Sequence, residues 1–104
     1  MGQKIFCINI GDSRGIVCKI TEEQVTAQAL SRDQKPSQED EAARIKKAGG
    51  RVDSFRDQQG NPIGPLRVWL KNEDVPGLAM SRAFGDHVAS TVGVTCEPGK
   101  CLSV

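Results

Sequence analysis

Along residues 4–10, Lys-Ile-Phe-Cys-Ile-Asn-Ile, alternate positions carry Phe6, Ile8 and Ile10. That spacing predicts a strand with those three side chains on one face. Gly11-Asp12-Ser13-Arg14-Gly15 is dense in turn formers and predicts a tight connection. A second strand is predicted from Ile16 to Ile20 and a third from Val25 to Leu30, joined by Thr21-Glu22-Glu23. Three short strands in succession, separated by small loops, predict an antiparallel meander.

The period then changes. Pro36 precedes Ser37, a favourable N-cap, and Gln38, Glu39, Asp40 and Glu41 fill a first turn where acidic side chains suit the positive end of the helix dipole. Asp40 and Arg44 form an i,i+4 pair, and Ala42, Ile45 and Ala48 make a narrow apolar stripe. Lys46 and Lys47 sit near the helix end, and Gly49-Gly50 stops it. From 51 to 77 the pattern is irregular, broken by Gly60, Asn61, Pro62, Gly64, Pro65, Pro76 and Gly77, with only Leu66–Leu70 strand-like. A stretch of that kind predicts a functional flap or a disordered segment. Leu78-Ala79-Met80 reads as a short buried strand, Ser81–Asp86 as a polar loop, and Val92–Cys96 as a further strand ended by Pro98-Gly99.

Composition narrows the picture. The 104 residues suit one small domain, 38% are hydrophobic and 26% charged, and only Phe6, Phe55, Trp69 and Phe84 are aromatic. The chain is globular in type but poor in large core-forming side chains. A net charge of +1 argues against a broad nucleic-acid footprint, and Lys46-Lys47 reads as a solvated helix end. No run of about 18 apolar residues predicts a transmembrane helix. The start lacks an apolar signal region, and Phe6 stands where a myristoylation motif wants Ser or Thr. Cys7, Cys18, Cys96 and Cys101 follow no common zinc spacing. Cys7 and Cys18 are predicted to be small core hydrophobes, and a reducing intracellular setting, cytoplasmic or nuclear, is expected.

No standard catalytic constellation is visible. His87 is the sole histidine, no serine has a nucleophile-elbow context, and no glycine-rich stretch carries a phosphate-loop Lys-Ser/Thr. The notable carboxylates are Asp12 and Asp86, each after a glycine and near an arginine, Arg14 and Arg82. The expectation is structural: each carboxylate caps backbone N–H groups and its arginine neutralises it.

Gly-Asp-Ser-Arg at 11–14, Asp-Gln-Lys-Pro at 33–36, the run from Glu39 to Val52, Arg-Val-Trp-Leu at 67–70, Pro-Gly-Leu-Ala-Met-Ser-Arg-Ala-Phe-Gly-Asp at 76–86 and Glu97-Pro98 occur in that order. Together they resemble the middle of the type 2C metal-dependent Ser/Thr protein phosphatases, over roughly residues 4–98. The resemblance implies an α+β fold: antiparallel sheet with one main helix and a long flap at about 51–77, part of the family's αββα sandwich, with 1–104 as the central portion of the domain. It implies phosphoprotein substrates, two Mg²⁺ or Mn²⁺ ions held largely by aspartates, and attack by a metal-activated water. The family's main ligands lie in Asp-Gly-His-Gly, Asp-Gly and Asp-Asn motifs. No Asp-Gly dipeptide occurs here, and His87 does not match the family's general-acid histidine.

The expectation is therefore no catalytic residue, no metal ligand and no metal bound by this chain alone. What carries over is support. Asp12, Arg14, Ser81, Arg82, Gly85 and Asp86 are expected in loops around the active site, and Gly49, Gly50, Arg51 and Trp69 at the helix exit and in the flap beside the substrate groove. Gln34 departs from the histidine usual before Lys-Pro, which alters a local hydrogen bond. Unpaired sheet edges are expected, to be met by the rest of the domain or another chain. The alternatives are a non-catalytic interaction module or decoy, and a small four-cysteine metal domain, which the spacing disfavours.

Overall fold

The computed structural model describes residues 2–99 and 102–103, with side chains described over 2–99. In chain order the elements are β1 (Phe6–Cys7), β2 (Ile16–Ile20), β3 (Val25–Ala29), α1 (Glu39–Lys47), β4 (Arg51–Arg56), β5 (Pro62–Trp69), β6 (Pro76–Leu78), α2 (His87–Ser90) and β7 (Leu102–Ser103). Every sheet is antiparallel: β1 pairs with β7, β2 with β3, and β4-β5-β6 form a three-stranded sheet. The class is α+β.

The predicted meander over the first three strands is corrected. β2 and β3 form a hairpin with Ile16 opposite Ala29 and Ile20 opposite Val25, but the first strand shrinks to Phe6–Cys7 and pairs with β7 instead. The face predicted for Phe6, Ile8 and Ile10 is not a packed one, since Phe6 is 55% and Ile8 70% exposed. Cys18 is also exposed, not a core residue, and Cys7 is half-buried; Cys101 lies outside the described residues.

The helix runs as predicted, with different ends. Gln38, not Ser37, is the N-cap, and no side chain caps it. At the C-terminus the Gly49 N–H donates to Lys46 O (3.0 Å) and the Gly50 N–H to Ile45 O (2.8 Å), the paired bonds of a Schellman motif. Gly49 takes the required left-handed φ of 92°. Ile45 is fully buried and Ala42 partly so, while Ala48 is exposed. Asp40 does not pair with Arg44; it accepts from Arg32 Nη2 at 2.8 Å.

Residues 51–77 are more regular than their punctuation suggests. Two strands and a third short one replace the predicted irregularity, and the breakers sit where the ladder tolerates them. The register shifts between Asp53 and Phe55, so Gly64 and Pro65 fall in a bulge, where a missing N–H or a positive φ costs little. Conversely, Val92–Cys96 is not a strand: Thr95 makes one bridge, to Arg82, and the preceding residues turn out of α2. That four-residue helix carried no readable period.

The core lies between α1, the three-stranded sheet and the α2 region: Ile45, Val68, Ala89, Val92 and Val94, with Val52, Leu70, Leu78 and Ala83 against it. Gly93 lets this happen. A Cβ there would stand 3.0 Å from Ile45 Cα and 3.1 Å from Ala48 Cβ, so only a glycine permits the approach. The N-terminal third adds little to this core, and the radius of gyration, 16.9 Å, exceeds the ~13 Å of a compact chain of about 100 residues.

Candidate functional site

Three loops meet at Gln34, which is only 3% exposed. Its side-chain Oε1 accepts from the Gly11 N–H (2.7 Å), and its Nε2 donates to Asn9 O (3.2 Å). Its backbone N–H donates to Gly11 O (3.0 Å), and its backbone O accepts from the Ser81 N–H (2.9 Å). The 11–14 loop, the 33–36 segment and the 81–86 loop are thereby clasped together. One residue outside the expected site set holds the two loops that were.

Glu41 is the second junction. It is fully buried on α1, one turn before Ile45. Oε1 accepts from Arg82 Nε at 3.0 Å and is ion-paired with its Nη2 at 2.9 Å. Arg44 Nη1 is an ion-pair partner of Oε2, without hydrogen-bond geometry, and Arg32 Nη2 stands 3.7 Å from Oε1. The same arginines reach onward. Arg44 donates to Gly93 O (2.9 Å) and Ser81 O (2.8 Å), and Arg82 to Glu97 O (2.9 Å). A buried carboxylate thus fixes the helix to the 81–86 loop and to the turn after α2. An acidic residue four positions before the only large apolar residue of the helix stripe was the signal for it.

Neither expected Asp–Arg pair forms. Arg14 is bidentate on Asp33, Nε to Oδ1 and Nη2 to Oδ2, both 2.8 Å, while Asp12 is exposed. Arg82 belongs to Glu41, and Asp86 is the N-cap of α2 at φ 42°, with no side-chain cap bond. Loop proximity in sequence misled because each arginine is long enough to reach across to another element. Gly85 is exposed at φ 72°, and Ser81 is fully buried with its Oγ unpartnered.

The second expected group lies elsewhere. Trp69 is 5% exposed; its Nε1 donates to Asp53 O at 2.9 Å, and its ring meets Phe55 edge-on at 5.2 Å. Arg51 stacks over it at 5.4 Å and also reaches Asp74 Oδ1 at 3.0 Å. Trp69 anchors the sheet from within. Gly49 and Gly50 shape the helix exit, Gly50 so tightly that a Cβ would stand 2.7 Å from Ile45 Cγ2.

The Arg14 guanidinium, hydrogen-bonded to Asp33, holds that carboxyl down at about 2 from an ordinary 3.8. A depressed carboxylate stabilises the fold above its unfolded value and stops doing so as pH falls through its folded one. The difference in urea midpoint between the parent and Asp33→Asn should therefore be constant above about pH 5 and shrink as pH falls through 3.8 to about 2. A difference unchanged across that window would contradict the assignment.

Two divalent cations need several converging oxygen donors. Among the described residues no three His, Cys, Asp or Glu side chains stand together in a way that could hold a metal, so this donor set does not fit such a centre by itself. No described helix is long and apolar enough to cross a membrane.

The antiparallel α+β frame has a counterpart among solved structures. The crystal structure of serine-threonine phosphatase 2C from Toxoplasma gondii superposes with a TM-score of 0.82 at 22% identity, over 100% of this chain and 34% of that one. The family profile "Protein phosphatase 2C" matches residues 1–101. This chain belongs to the protein phosphatase 2C family. It is 43% identical over 98 residues to "Probable protein phosphatase 2C 61" of Arabidopsis thaliana, covering 93% of this chain and 29% of that protein. It is 41% identical over 98 residues to "Probable protein phosphatase 2C 12" of Oryza sativa subsp. japonica, covering 93% and 24%. The chain thus spans under a third of the length of these relatives.

Proposed function

We propose that residues 1–104 form the central scaffold of a metal-dependent protein Ser/Thr phosphatase domain that hydrolyses phosphomonoesters on proteins only when complete. The observation that carries this reading is the match to the family over residues 1–101 in a chain whose described carboxylates do not converge. In the complete domain, Mg²⁺ or Mn²⁺ would supply the activated water and offset phosphoryl charge. The part of these residues is positional. Gln34 and Glu41 hold the 11–14 and 81–86 loops in fixed relation, and the sheet of 51–78 borders the groove as the flap, with Trp69 as its internal anchor.

The 104-residue chain, incubated with Mn²⁺ and a phosphopeptide or p-nitrophenyl phosphate, should release no phosphate above a metal-only blank. Calorimetric titration with Mn²⁺ should show no stoichiometric binding. Turnover carried by the chain alone would refute the reading.

A further inference from the structure

Ser37 stands one position before the N-cap of α1, and Gln38 fills that place without a side-chain bond. The serine is exposed, in a turn closed by the Gln38 N–H on Lys35 O (3.0 Å). Its hydroxyl is idle in the capping role that the sequence predicts. Glu39 and Asp40 follow it by two and three positions, and Ser37 is the one Ser or Thr of the chain with carboxylates at both places. Both are exposed, and they are the charge complement of a protein kinase whose substrate groove is basic. To enter such a groove residues 37–40 must extend, and a helix end without a side-chain cap opens at small cost.

The acidic turn alone is accounted for by the helix dipole. The surface beside the same hydroxyl is not. Ser37 lines a cleft of about 470 Å³ together with Arg14, Arg32, Lys35 and Asp33, so three cations there face one carboxylate. Arg14 and Lys35 reach Asp33 at 2.8 and 3.4 Å, yet their side chains stay 58% and 45% exposed, which leaves both heads room to turn to a second anion. Arg32 is shared with Asp40 at 2.8 Å. A phosphoserine carries a charge of about −2 and three strong acceptor oxygens, the chemistry that guanidinium and ammonium donors hold best.

We infer that Ser37 is a phosphorylation site for an acidophilic protein kinase using ATP, and that the phosphate is then held in the cleft by Arg14 and Lys35. In the transfer the Ser37 oxygen bonds to the γ-phosphorus of ATP as the bond to the bridging oxygen breaks; ADP leaves with the electron pair, and the hydroxyl proton passes to the kinase's base. The inference goes beyond the proposed phosphatase role and does not depend on it.

The full chain, incubated with an acidophilic kinase of the casein kinase type and Mg²⁺-ATP, should be phosphorylated at Ser37, as mapped by tandem mass spectrometry. Ser37→Ala should remove that label, and Glu39→Gln, which touches none of the ion pairs above, should slow it several-fold. No label, or label on Thr21 or another hydroxyl in preference, would overturn the site. The cleft is read by ³¹P titration of the phosphorylated chain. Arg14, Arg32 and Lys35 favour the dianion, and Asp33, Glu39 and Asp40 oppose it, so the direction of the shift tells which set the phosphate meets. Its second ionisation should fall below the ordinary value of about 6 and move back toward it in Lys35→Gln, which leaves the Arg14–Asp33 pair in place. A value at or above the ordinary one in the parent, or one that neither Lys35→Gln nor Arg14→Gln moves, would overturn the assignment of the cleft.

Discussion

Glu41→Gln should destabilise the fold by about 3 kcal/mol, the lower end of the range for breaking a buried ion pair. Glu41 is fully buried, and it is the carboxylate shared by Arg82 and Arg44. Removing its charge leaves Arg82, 17% exposed, with no counterion in place, and turns an acceptor into a group that is half donor. Arg44, 31% exposed, can turn toward water, which keeps the cost from the upper end. The loss is large against the 5–15 kcal/mol total of an ordinary domain. Urea unfolding of Glu41→Gln, and of the cycle Glu41→Leu, Arg82→Met and Glu41→Leu/Arg82→Met, provides the check. The double variant should recover much of the single losses, because an apolar pair need not be desolvated against a charge. Additive losses would show that the two residues do not act as a unit.

Trp69→Ala should cost about 3–5 kcal/mol, the range for emptying a large aromatic site. Four contacts end together: the edge-to-face packing on Phe55, the Arg51 stack, the Nε1 bond to Asp53 O, and the close fit over Gly77. Gly77 lies 3.0 Å, by its would-be Cβ, from the indole ring, so the backbone there cannot collapse far without unpairing β6. Trp69→Phe should lose less, since it keeps the ring and forfeits the hydrogen bond. Denaturant midpoints with near-ultraviolet circular dichroism would measure both. A Trp69→Ala loss below that of Trp69→Phe would contradict the anchoring role.

The readable parts of the fold were those decided locally. The helix α1 itself, its acidic first turn and its double-glycine stop are short-range features, and they formed, though its N-cap and the partner of Asp40 differ. The β2–β3 hairpin was legible for the same reason. The β4–β5 ladder was not, because Pro62, Gly64 and Pro65 break local rules for a strand; Pro62 is tolerated as the first residue of β5, opposite Arg56, and the bulge opposite Ser54 takes Gly64 and Pro65. α2 was illegible because four residues hold no period. At the site, the loops were found by their motifs but their fastening was not. Arg14 and Arg82 bypass the nearby Asp12 and Asp86 and bind Asp33 and Glu41, at separations of 19 and 41 positions. Such partners are chosen by tertiary packing, which local sequence does not encode.

The clasp at Gln34 has a chemical corollary. Histidine, which the family resemblance implies at that place, gains or loses a proton near neutrality and trades an acceptor for a donor when it does. A carboxamide has no such step. Its oxygen faces the Gly11 N–H and its nitrogen the Asn9 carbonyl in mild acid and mild base alike, so acidity in the physiological range leaves this knot tied.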